Sequence, residues 1–465
     1  MGNVHRLGRK TEHAVNNTPS RRRAAIVSAG LSILFVIVYG SCNWITAHRA
    51  HVGMFYFEWE RGLPFVPFLI PAYLSLDLFF IGAPFLCKTS DELRTFARRI
   101  TAAILVAGIC FLLFPLRFAF ERPHAAGVVG FIFDRFRSLD APYNLVPCLH
   151  AALLLLVADV YMRHLRGWFR TVSIGWFVLI ALSPVLTYQH HVIDILGGIL
   201  LALACFYFLP EAAQPWPAVR NARAGVYYLC GASFFLALAF TFRGWAICLL
   251  WPAFAVATVG ASYFGFGRNI YRKTNGRLPW IVRVLLAPCL LGQYISLYYY
   301  RRRGPLWDPV TPRVWIGGRL SNRQAQDVVL RGVRAVLDLT AEFSEPKCFR
   351  DVCYRNIPVP DLTAPNQKQL VEMAQFIGDQ TRHGIVYVHC KIGYSRSAAA
   401  VAAYLLYADK VRSTGEAFAI IRQARPSVVI RPEVIAGLDR FQRELRETKV
   451  SKEIFVLASA DQALA

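Results

Sequence analysis

The chain has 465 residues, of which 55% are hydrophobic and 17% are charged, and its formal net charge is +23. This composition excludes a soluble domain over the whole length, because soluble domains carry about 25% charged residues. The excess of Lys and Arg is typical of nucleic-acid binding, but these residues cluster at the ends of apolar segments, where membrane proteins carry cytoplasmic anchors. We therefore expect no nucleic-acid partner. The 11 cysteines include no C-x-x-C pair and no zinc spacing, so no disulfide framework is predicted.

Long apolar runs follow one another between residues 24 and 300. A membrane-spanning helix needs about 20 mostly apolar residues. The first run follows a basic tail and is too long for the apolar core of a signal peptide, so we interpret it as a retained membrane helix. The candidate membrane helices are residues 24–46, 64–87, 100–120, 146–162, 171–188, 191–209, 225–241, 244–266 and 281–300. The chain is therefore predicted to be a multi-pass integral membrane protein, with the first six helices in one block.

Basic loops between the candidate helices predict how this block is oriented. Residues 88–99 and 163–170 are rich in Lys and Arg, and with the basic N-terminal tail they mark one side as cytoplasmic. The loops 47–63 and 121–145 and the turn near His190 then face the opposite side.

The last candidate helix, residues 281–300, permits two interpretations. It contains Arg283 and Pro288, and basic clusters flank it on both sides. A membrane span here would place the C-terminal domain outside, whereas an interfacial helix, which we favour, leaves that domain in the cytoplasm. A two-domain fusion without organellar targeting indicates a bacterial inner membrane.

After Arg303 the sequence changes to that of a soluble domain. Short β-branched runs alternate with helical patterns, which predicts an α/β domain around a mostly parallel sheet. The predicted strands are residues 314–317, 333–339 and 385–389, and the predicted helices are residues 367–378, 397–407, 414–424 and 432–447.

Three polar stretches of the membrane block are predicted to lie on its non-cytoplasmic side. They are residues 115–123, 143–152 and 189–198. On a helix, His190 and Asp194 are one turn apart, so the carboxylate can hold one imidazole nitrogen and make the other a nucleophile. His150 starts another helix at the same depth and can donate a proton to a leaving group. Arg122 can bind phosphoryl oxygens. Each of these residues taken alone is also explained as a polar cap at the membrane interface.

Together these stretches resemble the type-2 phosphatidic acid phosphatase superfamily, whose motifs are R-P, P-S-x-H and H-x-x-x-D. The matching residues are R-P at 122–123, P-C-L-H at 147–150 and H-H-V-I-D at 190–194. The resemblance spans roughly residues 55–210 and implies a six-helix core and a phosphohistidine intermediate.

Three phosphate ligands of that superfamily are replaced in this chain. Cys148 stands where the superfamily has serine, Pro115 where it has lysine, and Pro184 where it has arginine. The cation nearest to Pro115 in the sequence is Arg117. The third motif is more similar to the H-Y-x-I-D of sphingomyelin and inositol-phosphorylceramide synthases. The resemblance therefore implies either hydrolysis or transfer of a head group to a lipid alcohol.

The stretch V-H-C-K-I-G-Y-S-R-S at 388–397 is a strand that leads through a loop into a helix beginning near Ser395. Backbone N–H groups and the helix N-terminus can form a cradle for a phosphate there, and the same field lowers the pKa of Cys390 so that a thiolate exists at neutral pH. Arg396 can bind two phosphate oxygens, Ser397 can stabilise the thiolate as a leaving group, and His389 orders the loop from beneath. The N–H groups of this cradle belong to Lys391, Ile392, Gly393, Tyr394, Ser395 and Arg396.

This stretch resembles the H-C-x-x-x-x-x-R-S/T signature of the cysteine-dependent protein tyrosine phosphatase superfamily, and most closely its dual-specificity branch. The resemblance covers about 150 residues and implies a phosphocysteine intermediate, with no metal and no cofactor. It also implies a general acid on a loop before the cysteine, which is Asp361, 29 positions upstream of Cys390. Further marks of the branch are V-W-I-G-G at 314–318, V-L-D-L-T at 336–340 and R-Q-A-R-P-S-V at 422–428.

The predicted fold is multi-domain: an all-α polytopic membrane bundle, with a six-helix core plus two or three further helices, followed by a soluble α/β cysteine-phosphatase domain. The predicted divisions are a basic cytoplasmic tail (1–23), the phosphatase- or phosphotransferase-like core (24–210), additional membrane helices and a linker (211–304), the dual-specificity phosphatase-like domain (305–450) and a C-terminal tail (451–465).

We interpret the chain as a bifunctional membrane enzyme that acts on phosphorylated lipids, with one site in each half. Tethering a phosphatase at the bilayer raises its effective concentration near lipid head groups. The alternative is a membrane-anchored phosphatase of phosphoproteins whose membrane half binds lipid without catalysis. A scaffold without activity is disfavoured by the set Cys390, Arg396 and Asp361. The sequence predicts no oligomeric state.

Overall fold

The computed structural model describes residues 18–139, 141–211, 221–242, 244–265, 270–302 and 304–464. The chain divides into two compact units, residues 1–214 and 215–465, which we call the N-terminal and C-terminal units.

The N-terminal unit is a bundle of helices. Its α-helices are α1 (Arg21–Ala47), α2 (Ile70–Leu86), α3 (Ser90–Leu113), α4 (Gly127–Leu139), α5 (Leu149–His164), α6 (Gly167–Leu186) and α7 (Val192–Phe208). Short 3₁₀ helices cover Glu58–Gly62 and Pro67–Leu69. Helix α3 begins where the Thr89 hydroxyl accepts a hydrogen bond from the N–H of Glu92 at 3.1 Å. Its fully buried residues recur at helical spacing and build the centre of the bundle core with α5.

Six helical segments in the described residues are long and apolar enough to cross a membrane. They are Arg21–Ala47, Pro67–Leu86, Ser90–Leu113, Gly167–Leu186, Ala222–Phe242 and Gly244–Ser262. Large apolar side chains such as Val36 on α1 and Val178 on α6 are exposed on the outside of the bundle. Helices α5 and α7, which the sequence also predicted as spans, have 16 and 17 residues and are shorter.

The connections of the N-terminal unit gather at two opposite ends. At one end, Glu92 in the first turn of α3 pairs with His164 at the end of α5 at 2.7 Å. At the other end, the N–H of Arg117 donates to the carbonyl of Gly53 at 2.8 Å. This is the grouping of loops that the sequence predicted, with the basic residues 88–99 and 163–170 together. Helix α4 lies inside the segment 121–145, which the sequence analysis had treated as a loop.

The C-terminal unit begins with helices α8 (Ala222–Phe242), α9 (Leu250–Ser262), α10 (Trp280–Leu285) and α11 (Ala287–Arg301), with a 3₁₀ turn at Gly244–Leu249. The predicted continuous helix over 281–300 is wrong: the helix breaks at Leu286, just before the first turn of α11, which carries Pro288. Lys273 before α10 and Arg301 at the end of α11 both bond to the following α/β domain. Both ends of this segment therefore contact the same domain.

The rest of the unit is an α/β domain around one five-stranded sheet. Its strands are β1 (Trp307–Thr311), β2 (Val314–Gly317), β3 (Val333–Asp338), β4 (Cys353–Asn356) and β5 (Ile385–His389), in the spatial order β1-β2-β5-β3-β4. Its helices are α12 (Asn322–Leu330), α13 (Lys347–Arg350), α14 (Gln367–Gln380), α15 (Arg396–Tyr407), α16 (Thr414–Ala424) and α17 (Pro432–Leu464). Only β1 is antiparallel to its neighbour. The mostly parallel sheet is thus confirmed, whereas β1, β4, α12 and α13 were not predicted.

The middle of this sheet positions the cysteine loop. Strand β5 is buried between β2 and β3, and α15 follows it after the loop 390–395. The alanine run at 398–400 and 402–403 is fully buried, so small side chains let α15 lie close against the sheet. Ligand sites of parallel sheets form at the carboxyl ends of the strands, and the loop after β5 lies at that edge.

Candidate active site

Cys390 lies at the start of the loop after β5 and is 3% exposed. Its sulfur accepts a hydrogen bond from the N–H of Gly393 at 3.3 Å and lies 3.5 Å from the Ser397 hydroxyl oxygen. Gly393 has a φ of +85°, and a Cβ there would lie 2.5 Å from the carbonyl carbon of Gly317. Only glycine therefore allows the loop to curl back against the end of β2.

The surroundings of Cys390 favour the thiolate. Burial raises the pKa of the thiol, but the guanidinium of Arg396, the hydroxyl and N–H of Ser397 and the N–H of Gly393 together hold that pKa below its ordinary value.

Arg396 is held in place by a carboxylate that the sequence analysis missed. Its two terminal nitrogens lie 2.8 and 3.2 Å from the two carboxylate oxygens of Glu342, and one of them also donates to the carbonyl of Val359 at 2.8 Å. Both side chains are buried. This bidentate pair orients the guanidinium before any substrate binds. The only signal in the sequence was an acidic residue four positions after the end of β3, at the same edge of the sheet as Cys390.

Asp361 lies on the loop 357–366, which we call the Asp361 loop, beside the cysteine loop. One carboxylate oxygen lies 3.2 Å from Arg396 and the other 3.6 Å from the Lys391 ammonium. Burial raises the pKa of Asp361, but the charges of Arg396 and Lys391 outweigh it and hold the pKa below its ordinary value. The structure thus brings Cys390, Arg396 and Asp361 together.

His389 lies fully buried beneath the cysteine loop. Burial lowers its pKa to about 4, so the ring is neutral at neutral pH. Its Nε2 lies 3.8 Å from Asp338 and 3.7 Å from Glu345, and the Lys273 ammonium, also buried, supplies positive charge to the same carboxylates. The ligand atoms of Asp338, Glu345 and His389 lie within 4.8 Å of one another, a spacing that a metal ion would accept.

Comparison with known proteins agrees with this geometry. The model of the family "Dual specificity phosphatase, catalytic domain" matches residues 318–444. Human phosphatidylglycerophosphatase and protein-tyrosine phosphatase 1 is 40% identical over 193 residues, which cover 38% of this chain and 94% of that protein. The mouse protein of the same name is 31% identical over 180 residues, covering 36% of this chain and 91% of that protein. The chain belongs to the dual specificity phosphatase family. It is a phosphatase.

The match is confined to part of the chain. Human dual specificity protein phosphatase 2 is 31% identical over 137 residues, which cover 26% of this chain and 41% of that protein. The family model does not extend to the N-terminal unit or to helices α8 to α11.

A cavity of about 810 Å³ opens beside Cys390 within the C-terminal unit. Its floor consists of the cysteine loop of the phosphatase domain, including Lys391, Ile392, Tyr394, Ser395 and Arg396, and of Asp361 and its neighbours. The opposite walls come from helices outside the family model. They include Tyr228, Gly231 and Phe235 of α8, Val256 of α9, and Gly292 and Gln293 of α11.

The histidines of the N-terminal unit lie together, but not all as predicted. His190 lies before α7 rather than on it, with its Nδ1 3.4 Å from a carboxylate oxygen of Asp194. That oxygen also accepts the N–H of His191 at 2.8 Å. The ring of His150 stacks on Tyr73 at 4.2 Å. His150 and His190 are near enough to interact electrostatically.

Arg122 and His191 have contacts that the sequence did not predict. The Nε of Arg122 donates to the carbonyl of Tyr188 at 3.0 Å. Nε2 of His191 accepts the N–H of Ala119 at 3.2 Å, and its Nδ1 lies 3.1 Å from Glu60. Both ring nitrogens of His191 are therefore engaged in contacts within the N-terminal unit. Glu60, which no motif indicated, completes a second buried imidazole–carboxylate pair.

Proposed function

We propose that the chain is a membrane-embedded enzyme that removes phosphate from phosphorylated lipids through a phosphocysteine intermediate at Cys390. The observation that carries this proposal is the cavity beside Cys390, whose walls are formed by the two apolar helices α8 and α9 and by α11. The human and mouse relatives that the chain covers almost completely are named phosphatidylglycerophosphatase and protein-tyrosine phosphatase 1. The first part of that name supports a lipid phosphomonoester as the substrate class, and the second part agrees with the phosphoprotein alternative.

The geometry supports a two-step displacement. The Cys390 thiolate attacks phosphorus and forms an S–P bond while the P–O bond to the leaving group breaks and Asp361 protonates the departing oxygen. Arg396 binds two of the phosphoryl oxygens. Water then attacks phosphorus, Asp361 takes its proton, and the S–P bond breaks to release inorganic phosphate. Ser397 stabilises the thiolate as it departs.

The ion pairs of Asp361 with Arg396 and Lys391 explain how a carboxylate with a low pKa can act as an acid. In the free enzyme Arg396 and Lys391 favour its charged form. A bound phosphate dianion satisfies these cations and adds negative charge next to the carboxylate, and both effects raise the pKa of Asp361. The proton is therefore available where the leaving oxygen needs it.

Replacing Asp361 by asparagine is expected to lower kcat on an alkyl phosphate by about 10²- to 10⁴-fold. In the wild type, kcat/KM requires the Cys390 thiolate together with protonated Asp361. It therefore rises with pH as the thiolate forms and falls at higher pH as Asp361 loses its proton. Both pKa values lie below their ordinary values, which displaces the whole profile toward acid. Asp361→Asn should remove the falling limb, measured by phosphate release across pH.

An aryl phosphate provides the control for that variant. A phenolate leaves without much need for a proton, so Asp361→Asn should cost far less on 4-nitrophenyl phosphate than on the alkyl phosphate. An equal loss on both substrates, or a falling limb that persists in the variant, would show that Asp361 is not the general acid.

We infer that the α/β domain faces the cytoplasm. Helix α8 begins beside this domain and helix α9 ends beside it. This is expected of a helical hairpin that enters and leaves the bilayer on one side. The flanks on that side are basic, with Arg223, Arg272, Arg277 and Arg302, which is the pattern of cytoplasmic flanks.

Substrate comparison tests the lipid proposal against the alternative of a phosphoprotein phosphatase. Full-length enzyme in detergent micelles would be offered phosphatidylglycerophosphate, phosphatidate, phosphatidylinositol phosphates and phosphotyrosine peptides. We expect kcat/KM to be at least about tenfold higher for one of the lipids than for the peptides. Peptide turnover well above all lipid turnover would overturn the proposal, and full-length Cys390→Ser supplies the background.

The buried pair His190–Asp194, with His150 nearby, favours a second phosphoryl-transfer site in the N-terminal unit. In this proposal His190 is the nucleophile and His150 donates a proton to the leaving group, while Arg122 helps to bind the phosphate. Lipid phosphatase or transferase activity that persists in Cys390→Ser and disappears in Cys390→Ser/His190→Ala is the expected result. Residual activity that survives His190→Ala, or none in Cys390→Ser, would contradict this site.

A further inference from the structure

We propose that the part of the active-site cavity between α8, α9 and α11 is a hydrocarbon subsite, which binds an acyl or alkyl chain of the lipid whose phosphate lies in the cysteine loop. This inference rests on the proposed lipid phosphatase function and adds the place where the lipid is recognised. The residues concerned lie outside the region that the family model matches.

The cavity changes from charged to apolar along its length. Near the cysteine loop, the Lys391 ammonium donates to the side-chain oxygen of Gln293 at 2.6 Å, and the Gln293 amide donates to the Tyr228 hydroxyl at 3.2 Å. Farther along the same helices the lining residues are Gly231, Phe235, Val256, Pro288 and Gly292. A phosphate ester with a polar group next to the phosphate and an apolar chain behind it matches this order.

The dimensions fit a chain and exceed the needs of a phosphate alone. Tyr227 and Phe235 both line the cavity and are eight residues apart on α8, which corresponds to roughly 12 Å of helix. The volume of about 810 Å³ is within the range of pockets that enclose most of a small molecule. The two helices of the hairpin are long and apolar enough to cross a membrane, so a lipid can reach this groove without leaving the bilayer.

Two glycines allow the subsite to be filled without disturbing the fold. A Cβ at Gly292 would meet nothing within 4 Å, and one at Gly231 would meet only Val256 at an ordinary 3.6 Å. Leu291, the neighbour of Gly292, is 62% exposed and is not part of the cavity lining. Gly292→Phe therefore projects a ring into the groove, Gly231→Leu fills it from the opposite wall, and Leu291→Phe is the matched control on the outer face of α11.

The test measures phosphate release from butyl and octyl phosphate by full-length enzyme in detergent. In the wild type, kcat/KM for octyl phosphate should exceed that for butyl phosphate by at least about tenfold, within the roughly 200-fold that burial of four methylenes allows. Gly292→Phe and Gly231→Leu should reduce this ratio to about one through loss of octyl phosphate turnover, and circular dichroism compares the folding of each variant with that of the wild type. Leu291→Phe should keep the wild-type ratio.

The outcomes separate this subsite from the proposed function. A wild-type ratio near one, or a ratio that both filling variants leave unchanged, overturns the subsite, whereas the lipid phosphatase proposal stands if phosphatidylglycerophosphate still exceeds peptides. A high ratio that falls in the two filling variants but not in Leu291→Phe supports the subsite.

Independent hydrogen bonds connect the α8–α9 hairpin to the Asp361 loop. The Tyr263 hydroxyl, at the end of α9, donates to the backbone carbonyl of Asp361 at 2.9 Å. The Asn221 amide, at the start of α8, donates to the carbonyl of Leu362 at 2.6 Å. Leu362 has a φ of +63°, a left-handed conformation that is strained for a leucine. The hairpin thus holds the loop in a conformation that it would not favour alone.

From these contacts we infer that Tyr263 and Asn221 are positioning residues for the general acid. Tyr263→Phe removes the hydroxyl that donates to the loop. Asn221→Asp removes the amide but keeps an oxygen to cap α8, where Asn221 now accepts the N–H of Ala224 at 3.1 Å. Tyr161→Phe is the matched control, since the Tyr161 hydroxyl donates to a backbone carbonyl of the N-terminal unit at 3.2 Å.

Leaving-group dependence distinguishes a positioning role from general loss of structure. Tyr263→Phe and Asn221→Asp should each lower kcat on butyl phosphate about five- to tenfold, and kcat on 4-nitrophenyl phosphate less than about twofold. Neither should lower the activity of Asp361→Asn further. Equal losses on both substrates, additive losses with Asp361→Asn, or no loss at all would overturn the inference. Tyr161→Phe should change neither substrate.

Discussion

Replacing Cys390 by serine is expected to lower phosphate release from an alkyl phosphate at the cysteine site by at least about a thousandfold. The electrostatic surroundings of residue 390 ionise a thiol, but a serine hydroxyl has a far higher pKa and stays protonated in the same cradle. Since sulfur and oxygen differ little in size, the loop and its hydrogen bonds should persist. Turnover of an alkyl phosphate and rapid-quench trapping of the phosphoenzyme measure the effect, and the trapped phosphate should be absent in the variant.

Cys353→Ser is the matched control for this experiment. Cys353 lies on the edge strand β4, is exposed, and contributes nothing to the cavity beside Cys390. Its replacement should leave turnover and phosphoenzyme formation unchanged. If Cys390→Ser retained more than a few per cent of the wild-type rate on the alkyl phosphate, or still trapped phosphate at residue 390, the phosphocysteine mechanism would be wrong.

Replacing Lys273 by methionine is expected to lower the free energy of unfolding of the C-terminal unit by about 3–5 kcal/mol. The Lys273 ammonium contacts the Asp338 carboxylate. It also donates hydrogen bonds to the carbonyl oxygen of Thr340 at 3.1 Å and to the hydroxyl oxygen of Thr340 at 2.9 Å, all in the buried core. Removing it leaves an uncompensated charge beneath the cysteine loop. Pulse proteolysis in urea, with fragments of the C-terminal unit as readout, should show a midpoint lowered by about 1–2 M.

A second variant distinguishes the ion pair from general effects of losing a lysine. Lys410→Met, at an exposed position, should leave the midpoint unchanged. Lys273→Met/Asp338→Asn removes both charges and should be more stable than Lys273→Met alone. Equal midpoints for the wild type and Lys273→Met would show that this buried pair does not stabilise the unit. Because Lys273 precedes the region that the family model matches, the predicted loss also implies that an isolated phosphatase domain, cut at residue 304, is destabilised.

The cysteine loop was predictable because its chemistry is local. A β-branched strand, a glycine and a helix start within ten residues determine where backbone N–H groups can converge, and Arg396 and Ser397 belong to the first turn of the same helix. The spacing of Asp361 became interpretable through the family resemblance. The structure brings Cys390, Arg396 and Asp361 to one edge of the sheet, because the parallel strands β2, β5 and β3 end at that edge.

Glu342 and Glu60 illustrate what the sequence did not reveal. Glu342 is 54 positions from its partner Arg396, and Glu60 is 131 positions from His191. Neither lies in a periodic pattern or at a spacing that indicates a contact. An acidic residue in a loop is ordinarily solvated, and only the packing of distant segments against each other makes it a buried counter-ion.

The sequence by itself determined the class of each half, since apolar length marks helices that can cross a bilayer and the strand–loop–helix around Cys390 marks a phosphate-binding thiolate. Both properties depend on neighbouring residues, so no tertiary information is needed to recognise them. Only the tertiary structure decided that α8 to α11 lie in one compact unit with the phosphatase domain. The physical reason is that the contacts joining them, from Tyr263 to Asp361, Gln293 to Lys391 and Lys273 to Asp338, are single hydrogen bonds and ion pairs between residues 65 to 98 positions apart.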